Sequence, residues 1–216
     1  MIIGVVIPDT NNRPMFLKHC LDMMERQTIA PDYIRVVNES SGIPNTDTTY
    51  RYRKGLDTIF NQYDCDVCFF IENDNWYKNT YIEEMLKAWE LAGKPNLFGQ
   101  STTIYYHLGL RKFKRMSHPY RAAMFSSMVT KDILNVPLCA DTEVFIDKYL
   151  WKQNIFKATF ISDKTICLGI KHEKDSCASV SNSNNFPYDI DDSDLKYLKS
   201  VVDLKSLMLY ANENKK

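Results

Sequence analysis

Glu72, Asn73, Asp74 and Asn75 follow directly on the apolar run Val67, Cys68, Phe69, Phe70, Ile71, and Trp76 and Tyr77 close the segment. The run shows no polar alternation, so it reads as a strand buried on both faces. Carboxylates at the end of a buried strand are costly unless something uses them. Glu72 and Asp74, two apart, project to one side of an extended chain. A hard divalent cation that also grips a substrate diphosphate needs only one or two protein carboxylates. In an open α/β sheet, ligands bind outside the carboxyl ends of the strands, where this pair falls. A plain polar turn after a strand is the structural alternative.

Other residues invite the same scrutiny. Cys65 and Cys68 form a C-x-x-C, but it enters a strand instead of opening a helix, so redox or zinc chemistry is not expected. Cys20, Cys139, Cys167 and Cys177 sit in apolar or amphipathic surroundings and read as small buried hydrophobes. Arg51 and Arg53 lie two apart on a helix and do not face together. At most one of them can therefore reach a given ligand, and the other is solvated. His19 falls on a helix face, His107 in an irregular strand, and His118 in a loop beside a basic segment that could meet an acceptor.

The elements that must position these groups follow from periodicity. Ile2 to Ile7 reads as a buried strand ending at Pro8, and Asp9 to Arg13 as a polar loop. Pro14 opens a helix ending near Gln27, with Phe16, Leu17, Cys20, Leu21 and Met24 at helical spacing. Tyr33 to Val37 is a second strand, Tyr50 to Gln62 a helix, Val67 to Ile71 the third strand and Thr80 to Leu91 an amphipathic helix. This alternation predicts a mostly parallel central sheet flanked by helices. Beyond it, Leu97 to Tyr106 has strand character, and Arg111, Lys112, Lys114 and Arg115 make a basic loop around Phe113. Ala122 to Val129 is a small-residue apolar segment, and Lys131 to Asn135 a short helix. A helix over Asp141 to Gln153, strands over Phe156 to Ile161 and Thr165 to Ile170, a mobile polar loop over Ser176 to Asp194 and a helix over Leu195 to Tyr210 complete the pattern.

The 216 residues are enough for one domain with a real core. It divides at residues 100 and 175 into two halves and a mobile loop with a C-terminal helix (176–216). With 27 basic and 27 acidic residues the formal charge is zero, which argues against nucleic-acid binding driven by bulk charge. No stretch reaches transmembrane length and the N-terminus lacks the basic flank of a signal peptide. The expectation is a soluble protein of a reducing compartment, the cytoplasm.

In order, these pieces resemble the GT-A glycosyltransferases, above all the large family-2 group. The strand, Pro, polar residues, Arg-Pro and helix of that family correspond to VVIPDTNNRPMFLKHCLDMM; its second strand to IRVVNESSG; its basic helix to RYRKGLDTIF; its D-x-D strand to CFFIENDNWY. The likeness covers about the first hundred residues. Glu72 stands at the first acid of the D-x-D, Asn73 at its middle and Asp74 at the position the family uses for metal. CADTEVFIDKYLWKQN looks like the acidic pair that opens the catalytic helix, and GIKH like the late strand that ends in a metal-binding histidine. As a whole the chain also resembles the small sugar-nucleotide transferase domains encoded by chlorella viruses, which implies a host cytoplasmic site.

The resemblance implies a single GT-A (Rossmann-like) α/β domain, with a nucleotide-binding half (1–100) and an acceptor and catalytic half (101–175), and a metal-dependent hexosyltransferase. Its donor would be a UDP-sugar, by default UDP-glucose, and its acceptor a glycan or glycoprotein. Pro8, Asp9, Thr10 and Arg13 would line the nucleotide, Glu39 would accept the uracil N–H, and Arg53, Glu72, Asn73 and Asp74 would complete the donor site. Asp74, Glu72 and His172 would hold Mn²⁺ or Mg²⁺, the histidine favouring Mn²⁺. Asp141, with Glu143 as competitor, would be the base of an inverting single displacement, unless Asp141 is only a helix N-cap. Of Trp76, Tyr77, Tyr105, Tyr106 and Tyr120, one or two would face sugar. The alternatives are a sugar nucleotidyltransferase, disfavoured because DTNNRP has no glycine for a triphosphate loop, and a nucleotide-sugar-binding module without catalysis.

Overall fold

The computed structural model describes residues 1–42, 47–136, 146–172 and 186–213. The first half alternates as the sequence predicts: β1 (Ile3–Pro8), α1 (Pro14–Glu25), β2 (Tyr33–Val37), α2 (Asp47–Asp57, continued by a π turn at Thr58–Gln62), β3 (Val67–Phe70), β4 (Trp76–Tyr77), α3 (Tyr81–Leu91) and β5 (Leu97–Gln100). β1 pairs in parallel with both neighbours, Val5 lying opposite Ile34 of β2 and Phe69 of β3. The strand period of two then sorts the core. Val5 and Ile7 pack with Phe16, Met23 and Met24 of α1 and with the apolar side of α3, while Val6 packs with Tyr52 and Leu56 of α2. Gly4 and Gly55 permit the second contact. A Cβ on Gly4 would meet Ile59 at 2.4 Å, and one on Gly55 would meet Val6 at 2.4 Å.

The second half holds β6 (Thr102–His107), β7 (Lys112–Ser117), β8 (Ser127–Thr130), α4 (Ile146–Leu150), β9 (Lys157–Phe160), β10 (Cys167–Lys171), β11 (Ile190–Asp191), α5 (Lys196–Val201) and α6 (Leu204–Glu213), with 3₁₀ turns at Met124–Ser126 and Lys131–Asn135. The main sheet runs β2-β1-β3-β8-β5-β9. β8 is its one reversed strand, placing Val129 opposite Cys68 and Met128 opposite Phe98. A second sheet, which periodicity does not reveal, runs β11-β7-β6-β10-β4.

Several segments differ from expectation. The predicted strand over Leu97 to Tyr106 is two strands in two sheets. Ser101 marks the change, its N–H and Oγ both donating to the Phe160 carbonyl at 3.0 and 3.2 Å. The basic loop at Arg111 to Arg115 lies largely in β7, because Phe113 stacks on Tyr197 with ring centroids 4.0 Å apart. The C-terminal helix is broken at Asp203, whose carboxylate caps α6 by accepting from the Ser206 N–H at 3.0 Å and Oγ–H at 2.7 Å. The described end of the expected mobile loop is anchored, as β11 pairs with β7. Among the described residues no helix is long and apolar enough to cross a membrane.

Asp192 ties this second sheet to α5. It is 3% exposed and accepts from the Tyr106 hydroxyl at 2.9 Å, the Tyr197 N–H at 2.7 Å and the Leu198 N–H at 3.0 Å. Asp192→Ala leaves a buried phenol and two helix-start amides without their acceptor. The expected loss is about 3 kcal/mol of unfolding free energy in urea denaturation. A loss under about 1 kcal/mol would show that the hairpin and α5 are held by packing alone.

Candidate active site

The site gathers at the carboxyl ends of β1 and β3. Asp9 extends the β1 ladder, its N–H donating to the Val37 carbonyl at 2.9 Å. Its buried carboxylate accepts from the Asn11 N–H at 3.1 Å and the Asn73 amide at 2.6 Å. Asn11 can close this turn in the left-handed region, with φ 60°, because asparagine tolerates it. Thr10 is hydrogen-bonded to Asn12 within the same loop.

Beyond β3, the Ile71 N–H still donates to the Val6 carbonyl at 3.0 Å, and the chain then turns. Asn73, Asp74 and Asn75 are all buried. Asn75 fixes the turn in both directions. Its amide donates to Glu72 Oε2 at 2.8 Å, and its Oδ1 accepts the Ile170 N–H of β10 at 2.8 Å. The Glu72 N–H donates to the Tyr77 hydroxyl at 2.9 Å. Glu72 and Asp74 therefore do not share one face as an extended chain would have them.

Asp74 meets residues from two distant segments. Arg13 Nη1 donates to Asp74 Oδ2 at 2.7 Å and to His172 Nε2 at 2.6 Å, while Nη2 reaches Asn73 Oδ1 at 3.4 Å. Asp74 Oδ2 and His172 Nε2 are 3.5 Å apart. Phe16 stacks under the imidazole, centroids 5.7 Å apart. Burial raises the Asp74 carboxyl, but the adjacent His172 and the charges of Arg13 and Lys171 outweigh it and hold the group well below the usual carboxylate range. Asp74 and His172 are the carboxylate and imidazole close enough together to bind one ion between them. Glu72 is not the third member, and among the described residues no three His, Cys, Asp or Glu side chains are placed to share an ion.

At the end of β2, Glu39 pairs with Arg35 at 2.7 Å and Lys54 at 3.1 Å. Its own backbone amide first, then Lys54 and Arg35, hold its carboxyl down to about 2. Glu39 Oε2 is buried and has no hydrogen-bond partner among the described residues. Of the two arginines on α2, Arg53 is exposed and Arg51 is buried on the side that also buries Tyr52 and Leu56. Arg51 donates to the Glu39 carbonyl at 3.2 Å and pairs with Asp47 at 3.3 Å.

Asp141 and Glu143 lie outside the described residues, as do Cys139 and Cys177. The nearby Asp147 of α4 pairs with Arg121. His19 bonds Ser206 Oγ at 2.8 Å and His107 accepts the Leu110 N–H at 3.2 Å, so both hold structure. His118 is buried, and burial first, then Arg121, bring its imidazole down to about 4. Of the candidate aromatics, Trp76, Tyr77 and Tyr106 are core, Tyr105 is half-buried and Tyr120 is exposed. Cys20, Cys65, Cys68 and Cys167 are free, buried thiols.

No family model matches the sequence, and no curated protein matches it. Solved structures do match the fold. S. aureus TarS 1–349 in complex with UDP-GlcNAc has a TM-score of 0.55 at 14% identity, over 83% of this chain and 61% of that one. The same fragment in complex with UDP gives 0.53 at 13%, over 79% and 60%. A197 from STIV gives 0.51 at 14%, over 75% and 83%. This chain thus spans about 60% of the TarS fragment. Likeness at such identity is a statement about fold, and the fold is the mixed α/β arrangement of the GT-A type.

Proposed function

We propose that this protein is a glycosyltransferase that moves a hexose, by default glucose, from a UDP-sugar to a hydroxyl of a glycan or glycoprotein. One observation carries the reading. Asp9, Asn73, Asp74, Arg13 and His172, drawn from three separated stretches of chain, are joined by hydrogen bonds at the strand ends where an α/β sheet takes its ligand. Pro8, Asp9 and Thr10 line the nucleoside. Asp74 and His172 hold Mn²⁺ or Mg²⁺, which when bound polarises the leaving diphosphate. Glu72, turned toward Asn75, positions the loop and contributes negative charge beside the donor. Asp141, or Glu143 in its stead, takes the acceptor proton as the acceptor oxygen bonds to the anomeric carbon and UDP departs with the electrons of the broken bond. The product anomer is inverted.

Glu39 sets the base. Its carboxylate is ionised at neutral pH and accepts only, which suits the ring N–H of uracil. In calorimetry with Mn²⁺ present, UDP is expected to bind about tenfold or more tightly than ADP, and Glu39→Ala to shrink that ratio. Equal affinities for the two nucleotides would remove the uridine assignment. Release of UDP from UDP-glucose, with and without acceptor glycans, tests transfer itself and separates an enzyme from a binding module.

A further inference from the structure

The two donors assigned to the ion already hold a cation. His172 Nε2 lies 2.6 Å from Arg13 Nη1. A guanidinium can only donate, so the imidazole nitrogen must accept with its single lone pair. A metal ion needs that same lone pair. Asp74 Oδ2, the other donor, is bonded to the same Arg13 nitrogen at 2.7 Å. Arg13 and a divalent ion therefore exclude one another at His172 and compete at Asp74. Leaving Asp74 with neither is costly, because an uncompensated buried carboxylate is strongly destabilising. The guanidinium has somewhere else to go. Arg13 stands immediately before the first turn of α1, its side chain 16% exposed, in the loop that lines the donor. A guanidinium fork matches phosphate oxygens as well as it matches a carboxylate.

We propose that Arg13 fills the ion's seat in the free protein and vacates it only when the phosphates of a nucleoside diphosphate draw the guanidinium away. The inference rests on the reading of Asp74 and His172 as ion ligands. Asp74 is then never without a positive partner, and ion and nucleotide enter as a unit. By linkage, the factor by which UDP tightens the ion equals the factor by which the ion tightens UDP.

The test is binding, not turnover. Free Mn²⁺ is followed by electron paramagnetic resonance in titrations of the full chain, wild type, Arg13→Gln and Arg13→Lys, each with and without UDP. Without UDP, Arg13→Gln is expected to bind Mn²⁺ at least about tenfold more tightly than wild type. Saturating UDP should close most of that gap by tightening the wild type. Equal Mn²⁺ affinities of wild type and Arg13→Gln in the absence of UDP overturn the proposal. Circular dichroism melting identifies a variant that fails to fold, and in that event Arg13→Lys decides. Its ammonium, a point charge, pairs with Asp74 and leaves the His172 lone pair open, so it too should bind Mn²⁺ more tightly than wild type. Affinity no better than wild type overturns the idea. UDP affinity measured by calorimetry in the same samples separates the two readings. Absent UDP binding brings down the nucleotide site as a whole, whereas intact UDP binding with equal Mn²⁺ affinities brings down only the exchange.

Discussion

Asp74→Ala is expected to reduce sugar transfer by about a thousandfold or more, the rate equivalent of the several kcal/mol an ion at a leaving diphosphate supplies. Among the described residues Asp74 is the carboxylate that lies beside His172 and the one that Arg13 holds. Without it no carboxylate among the described residues remains beside the imidazole to share an ion. Loss of a buried partner for Arg13 also costs stability, so Asp74→Asn is the companion variant, keeping shape and hydrogen bonding while removing charge. Both should fail in transfer, and wild type in EDTA should fail alongside them. Full activity of either variant, or of the chelated wild type, ends the metal assignment. The sign of the pH effect separates fold from function. A carboxyl held below its ordinary range stabilises the fold above the unfolded value of about 4, and that stability is lost only as pH falls through the lower folded value. Any activity titration between pH 5 and 8 therefore belongs to another group.

Asp141→Asn is expected to lower turnover by roughly a hundred- to ten-thousandfold, the range of a positioned general base. UDP affinity and melting temperature should hardly move, since the proposed role is toward the acceptor and asparagine is as good a helix N-cap as aspartate. The described neighbour is not an obvious substitute. Asp147 is already engaged in an ion pair with Arg121. Near-normal turnover would transfer the role to Glu143, and a product that keeps the donor's anomeric configuration would remove the single-displacement scheme altogether.

The early strands and helices are legible because each is specified locally. Val5, Val6 and Ile7 need no knowledge of distant residues to read as a buried strand, and Pro14 announces a helix by its own geometry. The acids after β3 stand out because apolar residues give way to them in a single step. What lies in pairing between distant segments is not written so plainly. The stretch from Leu97 to Tyr106 carries one unbroken strand pattern, yet Ser101 bonds to Phe160 and the chain crosses to another sheet. Phe113 reads as an aromatic in a basic loop until Tyr197, far along the chain, supplies its stacking partner. Within the site, GIKH places His172 near Asp74 by resemblance alone, and nothing in the spacing of Arg13 and His172 foretells that they touch. Arg51 was distinguishable from Arg53 in principle, since it sits four before Gly55 and next to Tyr52 on the face that packs. Asn75 carries no signal beyond being the last polar residue of its run, and its role exists only because Ile170 arrives beside it.

The reversed strand β8 decides what kind of inheritance this chain permits. Residues 127–130 lie between β3 and β5, both of which come from the first hundred residues. A gene fragment ending at residue 100 would encode β3 and β5 with an empty slot between them and two raw hydrogen-bonding edges, the situation that invites strand exchange and aggregation. Its complement would carry β8 and β9 without the β3 and β5 strands they pair with. The first hundred residues are thus not a portable cassette that recombination can lift from one protein into another, because their sheet is completed by a strand from further along the chain.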